Sequence, residues 1–557
     1  MKMGKKLLVL LIVSLMMFSL ASCGNKDAEN TNSSAGTADN TGSPAGDSSP
    51  SSNSGSNSNT SPASSEPPAV GGAISGKDTI KIAVTGDKGT FDPCATNDLD
   101  IYPAISTMIY EPLWVYTSTG DIKYILATGY DWIDDYTMHV HIREGVTFAG
   151  GESFDATDAL FSLVRFKHRE GQPDAFGQLS EELSSVVDQY TIELVFTEIN
   201  INIPEMIPGY PMLKAGTPSE TIATTMNGTG PYELTDYIVN SYMNLSLRDG
   251  YWGTPPPTKN FEFIQLKEDA QRVNALQTGE VDVANVPFQD VEFVQSLPGI
   301  SLDVLPSVLQ PTVYFNISPY SVFNENVDAR LAVAHAIDRD AIAKLVYYGY
   351  TPRAIMPASA DCEDIDDRFR NKGYYADDYY NPELARELAE SSGLVNETVL
   401  LINNGAAPVV LMCELIQANL KAIDVTVEVN NLDMGSWTQH LFDETKYDMC
   451  IDSNIAMNRA IAGAFRWSLV NMAAGSYQNY DWPGHDRAFE ILAEILTIYD
   501  VNERIALNYE VFEMVMDQCF WLCTVDMVST TAISSDLRGD AKNMGGAFWY
   551  WGNLYWD

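Results

Sequence analysis

The sequence predicts an α/β protein built as two or three lobes. About 480 of its 557 residues, from roughly Lys77 onward, have a globular composition, and that is more than one hydrophobic core usually supports. Helix and strand patterns alternate, most plainly where a helical run at 409–423 precedes a strand run at 425–429, as in an α/β layer. Strand-like runs also open the folded part at 79–84 and recur at 313–317, rich in Val, Ile, Tyr and Phe.

Ahead of the folded part stands a leader. Lys2, Lys5 and Lys6 precede an apolar stretch from Leu7 to Leu20, and Leu20-Ala21-Ser22-Cys23 closes it. A basic start, a short apolar core and small residues describe a secretory signal over 1–22, since a spanning helix needs about 20 apolar residues. A cysteine just after the small residues resembles the lipobox of bacterial lipoproteins, which implies lipidation of Cys23 and anchoring on the outer face of the cytoplasmic membrane. Residues 23–76 are almost wholly Asn, Ser, Thr, Gly, Ala and Pro. Such a segment buries too little apolar area to offset its ordering entropy, and as a flexible coil it would reach roughly 40 Å.

The charge is strongly acidic: 33 Lys and Arg against 75 Asp and Glu, a formal net charge of −42. Such a surface repels nucleic acid and anionic headgroups. The six cysteines beyond Cys23 are Cys94, Cys362, Cys413, Cys450, Cys519 and Cys523. They are scattered, unlike the framework of a small disulfide scaffold, and buried free thiols are expected, with disulfides as the alternative. Cys519 and Cys523 share one face whether their segment is helix or strand, but a lone Cys-x3-Cys is weak metal evidence.

Along the chain, the strand at 79–84 leads to a turn at Thr90-Phe91-Asp92-Pro93 and an acidic loop holding Asn97, Asp98 and Asp100. A helix from about Ile101 reaches Tyr110-Glu111-Pro112-Leu113. The alternation at 136–143 is a half-buried strand, with His139 and His141 on one face and no third metal ligand near. A short strand is expected at 146–148. Asp155 is the expected N-cap of an amphipathic helix, and Asp158 suits its positive end. Strands follow near 191–196 and 261–266, and Gly279 reads as a helix stop before a strand. Residues 328–344 read as one amphipathic helix, and Pro382 starts another. The tail, with Trp549, Tyr550, Trp551, Tyr555 and Trp556, is unusually aromatic.

Five segments in this order resemble one family. They are Tyr110-Glu111-Pro112-Leu113; His141-Ile142-Arg143-Glu144-Gly145-Val146-Thr147-Phe148 with Asp158-Ala159-Leu160-Phe161-Ser162; Gly228-Thr229-Gly230-Pro231-Tyr232; Asp328-Ala329-Arg330-Leu331-Ala332-Val333-Ala334-His335-Ala336-Ile337-Asp338-Arg339; and Asn381-Pro382-Glu383-Leu384-Ala385. Across nearly the whole mature chain they resemble the family 5 extracellular solute-binding proteins of ABC importers, the oligopeptide, dipeptide and nickel group. The resemblance implies a two-lobed periplasmic-binding-protein-like fold of the large type II form. Lobe I would combine 77–110, 228–311 and 524–557, with an inserted subdomain at 111–227; lobe II would span 312–523. Closure about a hinge would trap the solute, because only the closed state collects contacts from both lobes.

The resemblance also nominates solute-binding residues: Asp98 and Asp100 in the acidic loop, Tyr314 and Asn316 on the crossing strand, and Trp437 ahead of Tyr447-Asp448. Where peptide-binding relatives present an aspartate for the peptide amine, this chain has Met457, and Asp452 and Asn454 stand nearby to take the polar role. The implied partners are a solute, a permease and its ATPase, and a membrane through the lipid anchor; a monomer without cofactor or metal is expected. Peptide is the first expectation for the solute, an oligosaccharide or other neutral solute the second, nickel the third. A sensory or adhesion lipoprotein on the same fold is the rival class. An enzyme is disfavoured, since the chain has no Gly-x-Ser-x-Gly elbow, His-Glu-x-x-His or phosphate-binding glycine loop.

Overall fold

The computed structural model describes residues 78–557 apart from 87–88, 96–101, 118–119, 169–175, 177, 361, 457–459, 472–476 and 543–549. The leader, Cys23 and the linker expected at 23–76 lie outside these residues. Three sheets organise the rest. The largest has seven strands in the order Ile300–Pro306, Val528–Ser534, Val283–Asn285, Thr79–Val84, Asn260–Gln265, Tyr242–Leu247 and Tyr232–Ile238. It therefore joins the start of the folded chain to a strand near its end. A five-stranded sheet runs Thr426–Asn431, Thr398–Asn403, Met449–Ile455, Leu309–Phe315 and Trp521–Cys523. A four-stranded antiparallel sheet, Ala127–Asp134, Thr137–Ile142, Thr191–Val195 and Ser185–Asp188, falls between the first and later strands of the seven-stranded sheet in sequence.

Local chemistry explains these elements. Thr79–Val84 is central and parallel to Asn260–Gln265, and five of its six residues are buried, as expected of a strand covered on both faces. Thr137–Ile142 alternates instead, burying Met138, Val140 and Ile142. Its outward histidines enter cross-strand pairs, His139 with Glu193 and His141 with Asp131, each at 2.9 Å. Among the described residues no group of three or more His, Cys, Asp and Glu is placed to hold a metal ion.

Helix Ala156–Lys167 opens with a capping box: the Asp155 side chain accepts from the backbone of Thr157, while Asp158 accepts from the backbone N–H of Asp155. Gly279, at φ 71°, ends helix Asp269–Thr278 in the left-handed conformation, which glycine adopts without steric cost. All six described cysteines are buried and form no disulfide with one another. No helix among the described residues is long and apolar enough to cross a membrane.

Two expectations fail. The single helix at 328–344 is two helices, Val327–Ala336 and Arg339–Leu345. The break follows from Asp338, which leaves helical geometry and caps the second helix by accepting from the N–H of Ala341 at 2.8 Å. Asn326 caps the first in the same way. The short strand expected at 146–148 is reduced to one bridge, Thr147 to Ser153, because the hairpin closes too soon to build a ladder.

Candidate functional site

The seven- and five-stranded sheets are joined by two chain crossings. One passes from Pro306 to Leu309, the other from Cys523 to Val528. They run side by side as an antiparallel ribbon: the Ser307 N–H donates to the Met527 carbonyl at 2.9 Å, and the Met527 N–H to the Leu309 carbonyl at 3.1 Å. Two paired extended segments resist shear but bend, which suits a hinge. Away from the ribbon the two halves meet at isolated points. The Ile201 N–H donates to the Leu496 carbonyl at 2.9 Å. The Phe288 ring meets Tyr347 edge-on at 5.6 Å and stacks on Tyr350 at 6.3 Å.

The crossing strand Leu309–Phe315 pairs with Met449–Ile455, setting Tyr314 opposite Cys450, Thr312 opposite Asp452 and Gln310 opposite Asn454. Paired residues share a face, and alternate residues along a strand return to it. Tyr314, Asp452 and Asn454 are therefore together on one face of the five-stranded sheet. A hydrogen-bond chain ties two of them: the Tyr314 hydroxyl lies 3.0 Å from Ser468 Oγ, which donates to Asn454 Oδ1 at 3.3 Å. Asn454 Nδ2 donates to the Pro357 carbonyl at 2.9 Å. Tyr314 is 2% exposed and Asn454 1%. Their polar atoms are engaged inside this half.

Asp452 differs. Among the described residues its one hydrogen bond comes from the adjacent Ser453 N–H at 2.7 Å, and no cation there pairs with it. Burial pushes its carboxyl up to about 6, since desolvation disfavours the charged form. Asn316 is fully satisfied: its Nδ2 donates to the carbonyls of Glu444 and Tyr447 at 2.8 and 2.7 Å, and its Oδ1 accepts from the Ser318 N–H. It fixes the end of the crossing strand to the 444–447 turn. Trp437 sits on helix Met434–Leu441, capped by Asp433. The residue is 8% exposed, and its indole N–H has no acceptor among the described residues. Asp98, Asp100 and Met457 lie outside the described residues. The acidic loop starts from a fixed point, for Asp92 takes a bidentate pair from Arg165 at 2.7 and 2.5 Å.

The segment 328–339 supplies scaffold. Arg330 donates to the carbonyls of Gln518 and Phe323. Arg339 donates to those of Ala354 and Tyr374 at 2.7 and 2.8 Å and lies over the Tyr379 ring at 3.8 Å. A planar guanidinium can satisfy several carbonyls at once while stacking. Sequence reading passed over this role, although two arginines within an otherwise apolar helical pattern were the available sign.

Known proteins agree with this architecture. The family model described as bacterial extracellular solute-binding proteins, family 5 Middle, matches residues 121–469. The glutathione-binding protein GsiB of Salmonella paratyphi A is 24% identical over 496 residues, covering 84% of this chain and 92% of its own. Among solved structures, the ABC transporter substrate-binding protein CtaP of Listeria monocytogenes superposes with a TM-score of 0.74 at 18% identity, over 86% of this chain and 99% of that one. The periplasmic binding protein DppA of Helicobacter pylori, in complex with the peptide STSA, gives 0.71 at 20% identity, over 86% and 98%. With the matching segment spanning more than half of its length, on a mixed α/β fold of two lobes joined by paired strands, this chain belongs to the bacterial extracellular solute-binding proteins of family 5.

Proposed function

We propose that the chain is a lipid-anchored extracellular receptor that captures a peptide between its lobes and passes it to an ABC permease and ATPase. Cys23 would carry the anchor and 23–76 the tether, with the receptor acting as a monomer and making or breaking no bond in its cargo. Lobe I would comprise 77–110, 228–311 and 524–557, with 111–227 inserted, and lobe II 312–523.

The observation that carries the peptide reading is Asp452. A largely desolvated carboxylate with no cation paired to it among the described residues is costly unless a ligand supplies one, and a free peptide amine is such a group. GsiB is named for glutathione and DppA holds a peptide, which supports the same class. Asp98, Asp100 and Trp437 would complete the site, with Tyr314, Asn316 and Asn454 shaping it from behind. A thermal-shift screen tests the reading. A short peptide with a free amine should raise Tm, and its N-acetylated form should do so far less, since a ligand at 100 times its Kd stabilises by about 2.7 kcal/mol. A shift by oligosaccharides alone would replace peptide with a neutral solute. That second reading has its own support in Met457, where peptide-binding relatives carry aspartate, and in the unsatisfied indole N–H of Trp437.

A further inference from the structure

We propose a second binding site, for a small organic anion bearing an aromatic ring, at the seam where the four-stranded subdomain meets the seven-stranded half. A cavity of about 480 Å³ opens there, within the size range of small-molecule pockets. None of the residues nominated for solute capture lines it.

Its walls come from three parts of the chain. The hairpin of Trp114–Tyr116 and Ile122–Tyr124 sets Val115 opposite Lys123, so both face the cavity. Tyr251 and Trp252 form the facing wall. Tyr550, near the C-terminus, closes a third side and is tied to the hairpin by its hydroxyl, which donates to the Tyr116 carbonyl at 3.1 Å.

Charge selects the ligand. In a chain of net charge −42, two cations without ion-pair partners among the described residues, Lys123 and Arg143, line this one cavity. Arg143 Nε and Nη2 donate to the carbonyls of Ile125 and Ala127 at 2.6 and 3.4 Å, and the guanidinium lies 5.8 Å from the centre of the Trp252 ring. A stacked guanidinium held this way keeps an edge for a carboxylate. The one buried carboxylate of the lining, Glu111, already accepts from the Tyr251 hydroxyl at 2.7 Å and from Trp252 Nε1 at 3.2 Å, and burial pushes it up to about 7, so its negative charge is incomplete near neutrality. The third lining cation, Lys542, pairs with Asp303 at 3.1 Å. Aromatic walls then favour a ring on the bound anion.

Phenylacetate is a suitable probe and phenylacetamide its uncharged counterpart, each titrated into the purified full chain by ligand-observed NMR. Phenylacetate should bind, and the amide should bind about tenfold more weakly. Lys123→Glu and Arg143→Gln should each weaken phenylacetate by about tenfold or more, and a crystal soak should place its ring beside Trp252. Arg143→Gln also strands two carbonyls and can unfold the subdomain; Lys123 is exposed on its hairpin, so Lys123→Glu keeps the test decisive. The site does not exist if phenylacetate fails to bind at about 10 mM, if acid and amide bind alike, if folded Lys123→Glu protein binds as the parent does, or if the ring lodges between the lobes.

Discussion

Two charged groups in the five-stranded half are withdrawn from water in opposite ways. Arg339 is fully buried, yet carbonyls of Ala354 and Tyr374 and the faces of Tyr375 and Tyr379 enclose its guanidinium. Asp452, on a paired strand, is largely buried and receives one hydrogen bond among the described residues, from its own neighbour. The first charge is enclosed by carbonyls and rings of its own chain, with only its Nε lacking a hydrogen-bond partner among the described residues, whereas the second has no counter-charge there. A buried charge with all its partners in the chain is scaffold, and a buried charge lacking a counter-group marks a place for something else to bind.

The largest effect should separate these roles outright. Arg339→Ala should cost about 4 kcal/mol, because it leaves a cavity and two stranded carbonyls. Urea unfolding reads the loss, while solute affinity of the remaining folded protein should be unchanged. An affinity loss with intact stability would make Arg339 part of the site.

Glu111 lies between the two extremes, holding neutral donors but no ion-pair partner among the described residues. Its folded value of about 7 stands above its ordinary 4.5, so the native state holds the proton more tightly than the unfolded chain. The stability it contributes is fully present below about pH 4.5 and is lost as pH rises through about 7, a decline of about 3 kcal/mol. Asp452 and Asp282, both pushed up to about 6 by burial, slope the same way over a lower window. Unfolding free energies measured from pH 4.5 to 8 should fall, and Glu111→Gln should flatten the upper part of that fall. An unchanged slope in the variant would show that Glu111 ionises as freely when folded as when unfolded.

Asp452→Asn should weaken a free-amine peptide by about 2 kcal/mol while leaving stability at pH 8 the same or higher, since the variant no longer buries a charge. Calorimetry and urea unfolding on one preparation give both numbers. Lower stability with full affinity would assign Asp452 to the scaffold beside Arg339. The smallest effect belongs to Trp437→Phe, which removes the unsatisfied indole N–H but keeps a ring. Affinity should drop by about 1 kcal/mol with little change in Tm, and unaltered affinity would return Trp437 to the core.

The legible features in the sequence were those set by neighbouring residues. The Asp155 cap, the Gly279 stop and the central strand 79–84 depend on short-range chemistry, and each is where spacing and residue type put it. The break in 328–344 was also local, but an alanine-rich apolar run hid the capping role of Asp338. Partnerships across the chain were not legible. Glu111 meets Tyr251 and Trp252 about 140 positions away, and nothing in the local pattern distinguishes it from a surface acid. The same holds for the site: register brings Tyr314, Asp452 and Asn454 to one face, but only burial and hydrogen bonding separate the two satisfied side chains from the carboxylate left open.

The central claim, capture by closure of two lobes about the paired crossings, is tested most directly by a distance across the rim. Glu198 and Thr497 are exposed and flank the Ile201–Leu496 hydrogen bond, and the six described native thiols are buried, so spin labels on E198C and T497C report the gap by pulsed dipolar spectroscopy. A solute found by thermal shift should gather a broad or longer distribution into a single short distance. A distribution that is identical with and without a bound solute would contradict the account.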